Sequence, residues 1–414
     1  MSGCFHFRCK QPMDELKRVD PAFEWDAIPF LPNAIKDSNP KKEIINMVAK
    51  YDLVIIQRCY IYDVMKVFRE ACDFAGKPLI FETDDDYLNL PAHNPCYYGM
   101  VPPDVGEKYN KLTKDSPLDE RIAVVTEVER FRLLGLEKYK EMLKLPDALT
   151  VSTTELRNTL YPYNKNITVF ENQVERVYEH RDNELENKYV YLDEVTQKYK
   201  VRVPYTSGLM SVPSWVITDE KFKTVKEIPR IGYTGTPSHR GKDFDTIKKY
   251  FNSFLQKYGK DVWTLYIGDR HFFDEQMYGE GRGYFVGPAP YDTYIQNIRN
   301  LDVGLAPIEP NIFNMAKSDV KGLEYSSWGA CPVLPNYITY NRNFKHEENC
   351  LMYSNEAEFY ECLERLLKDR KLMKDIGNNA REYVKKKRLE RHHSERRYQF
   401  YKELVTSSVP LRIF

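Results

Sequence analysis

Short apolar runs alternate with segments of helical spacing along most of the chain, and this alternation limits the folds open to it more than any other feature. Residues 51–57, 78–81, 148–152 and 167–170 are strand-type runs, and 61–75 and 154–160 have helical spacing. A second series begins at Arg230-Ile-Gly-Tyr-Thr-Gly235: strands at 262–268, 284–287, 303–307 and 331–334, helices at 243–257, 291–300, 356–368, 370–385 and 388–405. An apolar run of strand length must pair with neighbours, and helix-length connections let successive strands lie parallel. The expected fold class is therefore α/β, with doubly wound parallel sheets. At 414 residues the chain is too long for one ordinary core.

Four regions follow: an N-terminal Rossmann-like domain at 1–174, an insertion at 175–228, a C-terminal Rossmann-like domain at 229–385, and a C-terminal helix at 386–414. Residues 189–203 alternate in the manner of a β-hairpin. An acceptor-side arm, an oligomer contact and a plain surface insertion all fit this segment. No strand-type run precedes Gly3-Cys4, so the first sheet is expected to begin with a later strand.

Composition removes several function classes. Hydrophobic residues make up 42% and charged residues 29%, the balance of a globular protein, and the net charge is zero. No global field draws the chain to nucleic acid or anionic lipid, so any such attraction must be local. No run reaches the roughly 18 apolar residues of a membrane span, and Met1-Ser-Gly-Cys-Phe-His-Phe-Arg is not a signal peptide. Eight scattered cysteines without a Cys-x-x-Cys pair fit a reducing cytoplasm rather than zinc or a disulfide framework. The 31 tyrosines suit sugar stacking, although half-buried tyrosine is the commoner use.

The chemistry concentrates in residues 301–334, which read as strand, polar loop, short helix and strand. Asn314, Lys317, Ser318, Lys321 and Glu324 lie on the loop and helix start. Two lysines, a hydroxyl and a helix N-terminus together suit a diphosphate. Glu324 follows Lys317 by seven residues, about two helical turns, and a carboxylate there can accept from ribose hydroxyls. Gly232-Tyr-Thr-Gly-Thr-Pro-Ser-His-Arg240 joins a strand to a helix. Gly235 admits a close ligand, Thr236 and Ser238 can donate to phosphate, and His239 adds a cationic contact. The plainer reading is an ordinary strand–helix turn.

In the first half, Glu82-Thr-Asp-Asp-Asp86 ends a strand, at the edge that lines the ligand crevice of open α/β sheets. Asp84 and Asp85 are candidate catalytic or acceptor-binding carboxylates; Asp84 and Asp86 also fit an Asp-x-Asp metal pattern, and aspartates here also suit helix capping. His93 is a candidate acid/base group. Arg58, just after a strand, and Arg8, near the start, are candidate cleft contacts. Ser152-Thr-Thr-Glu155 has capping-box spacing. The basic run 381–397 is interleaved with acids, so a solvated helix face competes with docking on lipid or nucleic acid.

The 301–334 segment resembles the nucleotide-sugar half-site of GT-B glycosyltransferases, especially glycosyltransferase family 4 and relatives that build O-antigen and other polysaccharides. The family's usual pair of glutamates separated by seven intervening residues appears here as Ala316 and Glu324, within an Ala-Lys-Ser…Lys…Glu-Tyr form. The resemblance implies two Rossmann-like domains facing a cleft, and a C-terminal helix crossing back to the first domain. It implies transfer from a UDP- or GDP-sugar to a hydroxyl, with retention and without a required divalent metal. Lys317 and Lys321 would clamp phosphate, Glu324 would hold the donor ribose, and Gly235, Thr236 and Ser238 would face the diphosphate. A glycan or lipid-linked sugar is the first expected acceptor, a modified DNA base the second. A non-catalytic nucleotide-sugar binder is the alternative of a different class. The expected location is the cytoplasm or the inner face of a membrane.

Overall fold

A computed structural model describes residues 3–29, 40–178, 190–193, 198–202, 209–211, 229–235, 242–268 and 283–407. Contacts divide the chain into two compact units. One comprises Phe7–Asn172, Asn311–Ser318 and His393–Phe414; the other comprises Met1–His6, Gln173–Pro310 and Asp319–His392.

The first unit is built on four parallel strands in chain order, β1 (Val54–Gln57), β2 (Leu79–Thr83), β3 (Ala148–Val151) and β4 (Ile167–Val169). Strands β2 and β3 are buried along their whole length, as expected of parallel strands covered on both faces. Helix Tyr62–Ala75 returns the chain from β1 to β2 and buries Val64, Met65, Phe68 and Cys72; it stops at Gly76 in the left-handed conformation (φ 66°). Tyr401 of helix Ser394–Thr406 joins a cluster with Met13, Leu16, Ile80 and Ala148. The start of the chain, where the sequence showed no strand-type run, is helical from Gly3 through Val19. Leu16 and Met13 bury one face of that helix, and this burial overrides the weak local signal.

The second unit carries six parallel strands in the order β10-β9-β8-β11-β12-β13, where β8 is Arg230–Gly235, β9 Trp263–Gly268, β10 Gly283–Val286, β11 Val303–Leu305, β12 Cys331–Pro335 and β13 Leu351–Tyr353. The chain builds outward from β8 through β10, then doubles back to lay β11 beside β8. This is a topological switch point, where open α/β sheets form a crevice at the strands' carboxyl ends. Phe244, Ile247, Phe251 and Phe254 pack with Phe359 and Leu363 in its core. Each such side chain contributes about 1.5–3 kcal/mol by leaving water. Gly304 on β11 lets the Tyr325 ring lie against the strand; a Cβ at this position would stand 2.2 Å from Tyr325 Cγ. Strands β5 (Val190–Asp193), β6 (Lys198–Arg202) and β7 (Leu209–Ser211) form a separate antiparallel sheet, which includes the hairpin read from alternation.

The helix expected at 388–405 is interrupted. Arg388 leaves helical geometry (φ −125°, ψ 26°), a 3₁₀ turn follows at Glu390–His392, and a helix resumes at Ser394. The cause is a buried pairing: Arg388 Nη1 and Nη2 meet the two oxygens of Asp319 at 2.7 and 3.1 Å, and its Nε donates to Gln173 Oε1.

Candidate active site

The switch point of the second sheet carries the densest polar cluster among the expected site residues. Thr234, one residue before Gly235 at the end of β8, is fully buried. Its N–H donates to Tyr325 Oη at 3.2 Å, and Tyr325 donates to the Leu305 carbonyl at the end of β11. Helix Tyr291–Ile298 brings Tyr294 Oη to 3.0 Å from Thr234 Oγ1 and 2.8 Å from Glu324 Oε2. A phenol has one proton to give. The carboxylate is the stronger acceptor, so Tyr294 donates to Glu324 and Thr234 turns its hydroxyl proton toward Tyr294. Helix Val320–Ser327 supplies both Glu324 and Lys321, whose Nζ lies 3.0 Å from Glu324 Oε2 and also reaches Tyr294 Oη.

Glu324 is 2% exposed, and these contacts all fall on Oε2; Oε1 takes no hydrogen bond among the described residues. Burial, then the neighbouring carboxylate, pushes the Tyr294 phenol well above its ordinary pKa, which keeps it a neutral donor. Aromatic rings surround the group. Tyr178 stacks on Trp328 with centroids 4.1 Å apart, and His6 stacks on Tyr291 at 3.7 Å. Trp328 is fixed by its Nε1–H, which donates to the Ile295 carbonyl at 2.7 Å. Tyr178 is held by Arg381, which donates twice to its carbonyl.

In the first unit the parallel register sets Gln57 of β1 against Glu82 of β2, so the residues that follow both strands meet. Arg58 Nη2 donates to Asp85 Oδ2 at 2.7 Å, its Nε donates to Tyr87 Oη at 3.1 Å, and the same Nε lies 3.7 Å from Asp84 Oδ1. Arg58 adopts φ 52°, an uncommon conformation for a residue with a side chain. Such strain is found where surrounding contacts fix the backbone. Arg58 and Asp85 are each 23% exposed, Asp84 11%. Asp86 points elsewhere: its Oδ1 accepts from Leu88 N–H and its Oδ2 from Asn89, so it caps the turn at Tyr87–Asn89. Burial raises its pKa. His93 is exposed in the turn at 91–94. Arg8 is buried; its Nε meets Glu82 Oε1 at 2.6 Å, and its Nη1 donates to Asn172 Oδ1 and the Phe170 carbonyl. Burial raises the Glu82 pKa, and Arg8 opposes that shift.

The polar loop is divided between the units after Ser318. Asn311 caps helix Ile312–Met315 by accepting from Asn314 N–H. Ala316 is buried in the first unit's core, and its carbonyl accepts from Thr153 Oγ1 at 2.7 Å. Thr153 also caps the helix Thr154–Leu160, one residue later than the Ser152–Glu155 spacing implied; Ser152 Oγ instead donates to the Asp84 carbonyl. Asn172 donates to Ser318 Oγ at 2.8 Å, and Lys317 Nζ lies 4.7 Å from the Phe313 ring centroid. Asn314 is buried. Thr236, Ser238 and His239 lie outside the described residues. The basic run is not one cationic face: Arg388 and Arg397 are buried, and Lys385 and Lys386 both approach Glu382.

Sequence reasoning missed Thr234 and Tyr294. Thr234 sits inside an apolar strand, and Tyr294 is one of 31 tyrosines on an ordinary amphipathic helix. It also treated Arg58 and the Asp84–Asp85 pair as separate candidates. The parallel register of β1 and β2 was the signal that joins them.

A sequence profile described as glycosyl transferase-like matches residues 257–403. No curated protein sequence matches the chain. Among solved structures, Anabaena Alr3699/HepE in complex with UDP aligns with a TM-score of 0.56 at 10% identity, over 90% of this chain and 84% of that one. Its complex with UDP-glucose aligns with the same score over 94% and 88%. TarM aligns with a TM-score of 0.51 at 10% identity, over 89% of this chain and 58% of that one. The fold is GT-B, with two Rossmann-like sheets, as the 301–334 segment led us to expect. Residues 257–403 are thus similar to a glycosyl transferase-like family, and the fold of the chain is that of GT-B proteins. No helix among the described residues is long and apolar enough to cross a membrane.

Proposed function

We propose that the protein transfers a glycosyl group from a UDP-sugar to a hydroxyl of a glycan or lipid-linked sugar, with retention at the anomeric carbon. The observation that carries this reading is Glu324 at the sheet's switch point, with Oε2 committed to Tyr294 and Lys321 and Oε1 without a partner among the described residues. A carboxylate whose orientation is fixed and whose second oxygen is unoccupied is suited to accept from the two ribose hydroxyls. HepE, solved with UDP-glucose on a similar fold, supports a uridine donor.

Lys321 and Lys317, with amides at the start of helix Val320–Ser327, would neutralise the leaving diphosphate, where charge grows most in the transition state. Lys321 already has Glu324 as a counter-ion, so substrate binding would redistribute its hydrogen bonds rather than bring an isolated cation to the phosphate. Gly235, Thr236, Ser238 and His239 are assigned to the same diphosphate. Asp84 and Asp85 are assigned to the acceptor hydroxyl, with Arg58 holding Asp85 in position and His93 as an auxiliary acid/base group. Ala316 replaces the first glutamate of the family pattern at a buried position. A carboxylate there would lose most of its hydration.

A thermal-shift series with UDP- and GDP-sugars tests the donor. A ligand that binds only the folded state raises apparent stability by mass action. A UDP-sugar is expected to give the largest shift, with slow release of UDP in the absence of acceptor. No shift with any nucleotide sugar at millimolar concentration defeats the proposal.

A further inference from the structure

Helix Leu118–Met142 is apolar on two faces. One face is used: Val128 packs with Val101 and Val105, while Tyr139 and Met142 enter the first unit's core. Gly135 closes the contact on that side, since a Cβ there would stand 2.6 Å from Met100 Cβ. The other face is open. Leu118, Ile122, Val125 and Leu133 are 64, 57, 43 and 55% exposed. Their spacing of four, three and eight residues keeps them on one stripe. At its N-terminal end the stripe borders a shallow groove of about 550 Å³, lined also by Tyr109 and Leu112.

The charges along this helix are sorted. From 118 to 129, Asp119, Glu120, Glu127 and Glu129 stand against Arg121, a net of −3. From 130 to 142, Arg130, Arg132, Lys138 and Lys140 stand against Glu137 and Glu141, a net of +2, and Lys144 just past the helix end pairs with Glu141. The helix dipole favours acids in the first turn and bases in the last, but Glu127, Glu129, Arg130 and Arg132 lie beyond its reach. Glu129, near the middle, is neutralised by Arg132 at 3.0 Å and by a hydrogen bond from Tyr97.

We propose that this stripe pairs with the same stripe of a second copy of the chain, the two helices antiparallel about a two-fold axis near residue 129. An isologous interface requires a surface complementary to itself. Reversal lays the acidic half of one helix over the basic half of the other, twice, while the apolar stripes bury each other. A parallel pair would oppose like charges along its whole length. An anionic lipid surface would meet the acidic half and be repelled. A helix of this length spans about 37 Å. With the groove beside it, the face offers on the order of 600 Å² per copy, at the low end for specific association.

Sedimentation of the full chain over a range of concentrations tests this. The unmodified protein is expected to show a monomer–dimer equilibrium that weakens with salt. Ile122→Asp is expected to raise the dimer dissociation constant about 100- to 10,000-fold, the loss of one buried aliphatic side chain per copy and so two per dimer. Charge reversal keeps the test independent of folding. Asp119→Lys with Glu120→Lys in one variant, and Lys140→Glu with Lys144→Glu in another, should each be monomeric alone and form a heterodimer when mixed. A protein that is monomeric at every concentration overturns the proposal. So does a dimer untouched by Ile122→Asp, a mixture that fails to associate, or a monomer that instead sediments with neutral phosphatidylcholine vesicles.

Discussion

The two parallel sheets gather charged residues at the same edge by different means. In the first, β1 to β4 run in chain order, and Arg58 meets Asp84 and Asp85 because adjacent strands end at the same level. The resulting ion pairs keep part of their exposure, and pairs of that kind contribute little to stability. In the second, the chain doubles back between β8 and β11, and helices 291–298 and 320–327 bring Tyr294 and Glu324 to the break. There the charged groups are buried and joined through a neutral phenol. Removing one partner from such a network leaves the others stripped of both water and hydrogen bonds. The first arrangement leaves carboxylates partly exposed; the second fixes one carboxylate in a single orientation.

The substitution expected to have the largest effect acts on the second sheet. Glu324→Ala should weaken UDP binding about 100-fold by calorimetry, the scale of losing hydrogen bonds to a charged group. Unchanged affinity would remove Glu324 from the nucleotide site. Gly304→Ala should lower the unfolding free energy by about 2–3 kcal/mol in a urea titration, because the Tyr325 ring cannot retreat from the new methyl. A neutral result there would show that the Tyr325–Leu305–Thr234 links are not rigid. Asp85→Asn separates the two sheets functionally: turnover should fall by about tenfold or more while UDP affinity holds. Equal losses in both would erase the distinction between an acceptor edge and a donor edge. Tyr294→Phe is the finest probe. Loss of its hydroxyl should cost about 1 kcal/mol of stability and a few-fold in UDP affinity, both read from the same titrations. No change in either would mean that Lys321 alone orients Glu324.

Much of this was legible in the chain, and the reason is locality. Strand and helix periods are set by neighbours a few residues apart, so Val54–Gln57, Leu79–Thr83, Trp263–Gly268 and Cys331–Pro335 follow from the apolar pattern. A helix start at 152–155 was readable for the same reason, although the capping residue is Thr153 and not Ser152. The interruption at Arg388 was not, because its cause is Asp319, 69 residues earlier. The burial of Arg8 was equally hidden, since Glu82 lies 74 residues away and only the packing of the helical N-terminus on the first sheet makes the pairing.

By itself the sequence determined that the chain forms parallel sheets in two series, and that a lysine- and carboxylate-bearing loop follows β11. Short-range periodicity and residue chemistry suffice for both. Tertiary structure alone decided that Tyr294 and Thr234 complete the Glu324 group, that Arg58 braces Asp85, and that Ala316 occupies a buried core position. Each depends on strand register or helix placement across tens of residues, and a hydrogen bond forms only when that placement is right to within a few tenths of an ångström.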